Sequence, residues 1–94
     1  MALARVVTFE GVTKERAEEM KREMSQGERP DDVPATEIIV LHDPEAETSV
    51  VILFFDSEED YRRGNDALDA MPASDTPGRR SSVAKCDVVA RMTS

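Results

Sequence analysis

The apolar positions along the chain fall into four runs of strand character and two stretches of helical character. Leu3 to Phe9 is the first strand: Val6, Val7, Thr8 and Phe9 are β-branched or aromatic, and Gly11 ends the run. Lys14 to Ser25 holds strong helix formers and neither Pro nor Gly, with Thr13 placed to cap its start and Gly27 to close its end. Ala17, Met20 and Met24 fall at i, i+3 and i+7, so they share one narrow stripe of an otherwise charged helix. Gln26 to Ala35 carries Gly27, Pro30 and Pro34 among charges and reads as a loop. Thr36 to His42 is the second strand and Thr48 to Phe55 the third, joined through Asp43-Pro44-Glu45. In that link Pro presets φ and the Asp carboxylate can accept from the following backbone. So short a link makes strands two and three an antiparallel hairpin. Ser57 then caps a second helix whose first turn, Glu58-Glu59-Asp60, suits the positive end of the helix dipole. Tyr61, Gly64, Leu68 and Met71 mark its inward face. Pro72 to Gly78 is a loop, and Arg80 to Arg91 alternates as a final strand, with Ala84, Cys86, Val88 and Ala90 on one face.

The resulting order is β-α-β-β-α-β, a weak internal repeat of strand, capped helix and strand. It predicts a single α+β domain over residues 1–94. The expected fold is ferredoxin-like, a four-stranded antiparallel sheet with both helices on one face. The third strand is apolar on both faces: Val50, Ile52 and Phe54 alternate with Val51, Leu53 and Phe55. The second behaves the same way, with Ile38 and Val40 against Ile39 and Leu41. Two helices cover one side of a sheet, so the other side needs a cover of its own. A second copy is the simplest one, and a two-fold dimer the commonest homo-oligomer. Burying three side chains such as Val51, Leu53 and Phe55 against the partner is worth roughly 1.5–3 kcal/mol each, and alternation alone leaves open which face turns inward.

Charge and cysteine usage narrow the partners. Asp and Glu total 20 against 12 Lys and Arg, a net charge of -8, which a nucleic-acid backbone or an anionic membrane surface repels. The longest uninterrupted apolar run, Val50 to Phe55, is far short of the roughly 20 residues of a membrane-spanning helix. The N-terminus has no basic segment before its apolar residues and does not read as a secretory signal. With Cys86 alone, neither an intrachain disulfide nor a cysteine metal cluster can form, and a free thiol suits the cytoplasm.

The βαββαβ order, the doubly apolar third strand and the segment from Phe55-Asp56-Ser57-Glu58-Glu59-Asp60-Tyr61 to Leu68 together resemble the dimeric α/β-barrel superfamily. Within it, the chain is similar to the small proteins grouped with the antibiotic biosynthesis monooxygenases. The resemblance implies two sheets facing one another across a two-fold axis, and an apolar pocket in each subunit between sheet and helices. Members that oxygenate polycyclic phenols without a cofactor line that pocket with Trp, Tyr, Asn, Arg or His, and the haem-degrading members use an Asn, a Trp and a His. This chain departs from both patterns: it has no Trp, one His and one Asn, and Asn65 lies in helix two rather than on the first strand. No cofactor and no metal is expected.

The candidate chemistry is therefore sparse. His42, the one histidine, ends strand two; it is either a general base or axial ligand, or a partly solvated side chain at a hairpin. Tyr61 is either a phenol-binding hydroxyl or a core aromatic with a polar tip. Phe9, Met20, Met24, Phe54, Phe55, Tyr61 and Leu68 are the candidate lining of a ligand pocket, or simply core. Gly64 either lets helix two approach the sheet or leaves room for a ligand. Cys86 has no base near it in sequence and is expected to point inward as a structural thiol. Lys85 and Asp87 share the other face, as a solvated edge or as charges presented to a partner. Asp31-Asp32 and Asp43, Glu45 and Glu47 lack EF-hand spacing and read as loop charges. RNA-binding modules of this topology need a basic surface, metal-transport modules a C-x-x-C and acylphosphatases a Gly-rich loop after strand one; none is present. The expectation is a homodimeric protein that binds a small apolar or aromatic ligand. The alternative is a cofactor-independent monooxygenase acting on an aromatic or polyketide-like compound through Tyr61 and His42.

Overall fold

A computed structural model describes residues 2–25, 33–70 and 77–92. The elements run β1 (Leu3–Glu10), α1 (Lys14–Ser25), β2 (Glu37–Asp43), β3 (Thr48–Phe55), α2 (Glu58–Asp69) and β4 (Arg79–Asp87). The expected roles of Gly27, Met71, the Asp31-Asp32 pair and most of the Pro72 to Gly78 loop lie outside the described residues. The strands form one antiparallel sheet in the order β2-β3-β1-β4, which is the ferredoxin-like arrangement.

The local signals act as their chemistry requires. Thr13 Oγ1 accepts from the Arg16 N–H at 3.2 Å and Ser57 Oγ from the Asp60 N–H at 3.1 Å, so each helix start has a capped donor. Asp43 Oδ1 accepts from the N–H groups of Glu45 and Ala46 at 3.1 and 3.2 Å and holds the β2–β3 turn. Gly11 takes φ 72° between β1 and α1, a left-handed conformation that an L side chain resists.

Register decides which residues face the helices. Leu3, Arg5, Val7 and Phe9 of β1 lie beside Phe55, Leu53, Val51 and Ser49 of β3, and Ile38, Val40 and His42 of β2 continue those rows. On that side Leu3, Leu53 and Phe55 pack with Val33, Ala35 and Tyr61, flanked by Ile38, Val51, Ala67 and Leu68. Val7, Phe9 and Val12 form a second cluster against Ala17 and Met20 of α1. The register settles which face is inward: Val51, Leu53 and Phe55, given above as an example of side chains a partner could bury, lie under the helices instead. The side without helices carries Ala4, Val6, Ile39, Leu41, Val50, Ile52, Phe54 and Ala84. Both faces of β3 are apolar, so alternation alone gave no means of ordering them.

Two further corrections concern β4. It ends at Asp87 rather than Arg91. Beyond it the Val88 N–H donates to Ala2 O at 3.1 Å, and the Arg91 guanidinium stands 4.5 Å from the Phe54 ring centroid with an ion pair to Glu37. The terminal stretch thus crosses the helix-free side at its Phe54 end instead of prolonging the strand. Cys86 is exposed, not inward, because it pairs with Ala4 on that same uncovered side of an edge strand.

Candidate functional site

Two polar constellations lie on the helix-covered side, toward opposite edges of the sheet. The first is a cleft between α1 and β2. It has a volume of about 630 Å³ and is walled by Ala17, Met24, Val40 and Pro44 together with Lys14, Glu18, Lys21, Ser25 and His42. It exists because α1 is a poor core helix: none of its residues is fully buried, and its narrow stripe packs on the buried cluster through Ala17 and Met20. The outer strand β2 is left with Val40 only half covered.

His42 is fixed in this cleft by its neighbour across the hairpin. Its Nδ1 lies 2.8 Å from Ser49 Oγ, and Ser49 is fully buried. The other ring nitrogen, Nε2, is shut off from solvent without a hydrogen-bond partner among the described residues. Leaving such a group unmet costs about 1–3 kcal/mol, so a ligand that supplies a partner recovers it. Ser49 is too deeply buried to act as a nucleophile and serves to position the imidazole.

The second constellation joins β1 to α2. Arg5, only 3% exposed, sends Nε to Asn65 Oδ1 at 2.9 Å and Nη2 to Asp69 Oδ1 at 3.1 Å. Asn65 Nδ2 donates to the other Asp69 oxygen at 3.3 Å, and Arg80 Nη1 reaches Asp69 at 2.8 Å. Burial pulls the Arg5 guanidinium below its ordinary value, opposed by the Asp69 carboxylate. Beside it Tyr61 is buried edge-on to Phe55 at 5.4 Å, with the Lys85 ammonium 5.2 Å from its ring centroid. Burial raises the Tyr61 phenol, partly offset by Arg5 and Lys85. Lys85 pairs with Glu58 at the start of α2, and that hydrogen bond lowers the Glu58 carboxyl.

The candidate pocket residues are dispersed rather than gathered. Met24 lines the α1–β2 cleft; Phe9 and Met20 pack in the cluster beneath α1. Phe55, Tyr61 and Leu68 belong to the core under α2, and Phe54 lies on the helix-free side. His42 and Tyr61 do not share one site. His42 pairs with Ser49, whereas Tyr61 packs on Phe55, six residues farther along β3 and so roughly 20 Å away. Gly64 is a close-approach residue: a Cβ there would come within 2.5 Å of the Phe55 ring. Sequence reasoning missed Arg5 and its partners. The available signal was a single charged residue on the Leu3-Arg5-Val7-Phe9 face of an otherwise apolar strand. It also missed Lys14, Lys21 and Val40 as cleft walls, which only the placement of α1 over β2 brings together. No cluster of His, Cys, Asp and Glu suited to a metal ion occurs among the described residues.

No protein-family model matches the chain, and no curated protein is significantly similar to it. Among solved structures it is similar to that of an antibiotic biosynthesis monooxygenase-like protein from Chloroflexus aurantiacus J-10-fl. The TM-score is 0.60 at 12% identity, over 99% of this chain and 98% of the other. So low an identity over so complete a match establishes architecture: the chain has the βαββαβ fold seen in antibiotic biosynthesis monooxygenase-like proteins.

Proposed function

We propose that the protein is a single-domain, homodimeric cytoplasmic protein that binds a small apolar or aromatic molecule in the α1–β2 cleft. The observation that carries this reading is the cleft itself. Its volume of about 630 Å³ suits a small organic ligand, and its walls combine Ala17, Met24, Val40 and Pro44 with one oriented imidazole. The homodimer is supported by Ile39, Leu41, Val50 and Ile52 on the side that neither helix covers, where Leu41 is 53% exposed. None of the described helices is long and apolar enough to cross a membrane, which accords with a protein that meets its ligand in water.

The test is a cleft-filling variant. Wild type should take up a neutral fluorescent probe such as Nile red, and Ala17→Trp should lose that uptake while keeping its circular dichroism. Equal uptake by both proteins would place the binding elsewhere and refute the reading.

A second reading is cofactor-independent oxygenation of an aromatic or polyketide-like substrate. It is supported by the fold shared with the Chloroflexus protein and by the His42 imidazole: in the tautomer whose Nδ1–H donates to Ser49 Oγ, Nε2 is free to take a proton from a phenol bound in the cleft. Oxygen uptake with anthrone should then be measurable and should be lost in His42→Asn. No uptake by wild type rejects catalysis on this substrate class and leaves the binding reading in place.

A further inference from the structure

We infer that the ligand of the α1–β2 cleft is an amphipathic carboxylate, an apolar body with one acidic head, and that His42 Nε2 reads the head. The inference rests on the binding reading above and adds the head group to it. Three features of the cleft converge on this class. Its walls supply a patch for an apolar body in Ala17, Met24 and Val40. Its one aromatic nitrogen without a partner among the described residues is Nε2 of His42, which is turned away from water. The two cations on its α1 wall, Lys14 and Lys21, outnumber the single anion, Glu18, in a chain whose net charge is -8.

His42 Nδ1 and Ser49 Oγ lie 2.8 Å apart, and the ring tautomer decides which of the two donates. In the tautomer whose Nδ1 accepts from the Ser49 hydroxyl, the ring proton sits on Nε2, and this is the form that meets a carboxylate head. A carboxylate accepts such a proton in a charge-assisted hydrogen bond, stronger than one to a neutral oxygen. An alcohol of the same length offers a weaker acceptor, and an ammonium head offers none and meets Lys14 and Lys21 as like charges. Lys14, Lys21 and Met24 are long, unbranched side chains that change rotamer at small cost, so entry of a head group does not require movement of the sheet.

The experiment compares decanoate, decanol and decylamine, titrated into the wild-type protein by calorimetry, with chemical shifts locating the site. Decanoate should bind about tenfold or more tightly than decanol, and decylamine least. In His42→Asn the amide occupies the place of Nδ1 and keeps Ser49 partnered but leaves nothing at Nε2. That variant should lower decanoate affinity about tenfold and decanol affinity much less. His42→Gln, which puts an amide near the place of Nε2, should recover part of the loss. If decanoate and decanol bind alike, or if His42→Asn weakens both equally, the head-group inference is overturned while binding in the cleft stands. If no probe binds, both fall.

Discussion

At Gly64 the backbone of α2 rests directly on the ring of Phe55, which is fully buried and edge-on to Tyr61. Gly64→Ala therefore sets two effects against each other. Helix propensity favours alanine by about 1 kcal/mol, and overpacking a ring that has nowhere to move costs about 1–3 kcal/mol. We expect the clash to win, with denaturant unfolding showing a net loss of up to about 2 kcal/mol; a gain in stability would mean that α2 is free to lift. Tyr61, the only tyrosine in a chain without tryptophan, gives a clean optical signal. Its phenol is raised by burial, so the unfolded chain loses this proton first, near pH 10. The stabilisation is complete below that pH and is lost as pH rises toward the folded value. The phenolate absorption of the native protein should appear only above pH 10, and stability should decline more steeply over the same range in wild type than in Tyr61→Phe, which keeps the lysine ion pairs. An ordinary titration midpoint would show that the ring is open to water. These roles were half legible in the sequence: the inward positions of Tyr61 and Gly64 follow from helical spacing, but whether the glycine made room for a ligand or for Phe55 needed the register.

Between elements, the polar contact of β1 with α2 is the feature the sequence hid. Arg5 lies in a row of apolar residues, and its partners are 60 and 64 positions away. An ion pair of this kind adds less than its attraction suggests, since the Arg5 guanidinium gives up water while the half-exposed Asp69 carboxylate stays screened by it. Arg5→Met, which fills similar space without charge, should leave stability unchanged or raise it slightly. Asp69→Ala leaves the guanidinium buried with Asn65 as its remaining partner, and thermal unfolding should show a loss of about 1–3 kcal/mol. The reverse order would mean that the pair itself drives the docking of α2. The elements were otherwise well marked: Lys14–Ser25 and Thr48–Phe55 match the expected bounds, because capping residues and the hairpin turn punctuate them. The expected final strand is longer than β4, because alternation of small and polar residues continues past Asp87 while the chain itself turns toward Phe54.

For the whole molecule, the order of elements was enough to give the fold, and the excess of apolar residues over what two helices can cover was legible in the alternation of the second and third strands. The side left over was not, nor was the cleft, because both depend on where a weakly amphipathic α1 settles on the sheet. The chain apportions its apolar residues to two surfaces: one is closed by its own helices and houses the cleft, and the other, which no helix covers, is the one proposed to meet a second copy. Sedimentation equilibrium at micromolar concentration measures this most directly. Wild type should sediment at twice the 10.4 kDa of one chain, and Ile52→Glu, which puts a charge in the middle of the uncovered side, should sediment at that of a single folded chain. A wild-type protein that stays at the single-chain mass would contradict the account.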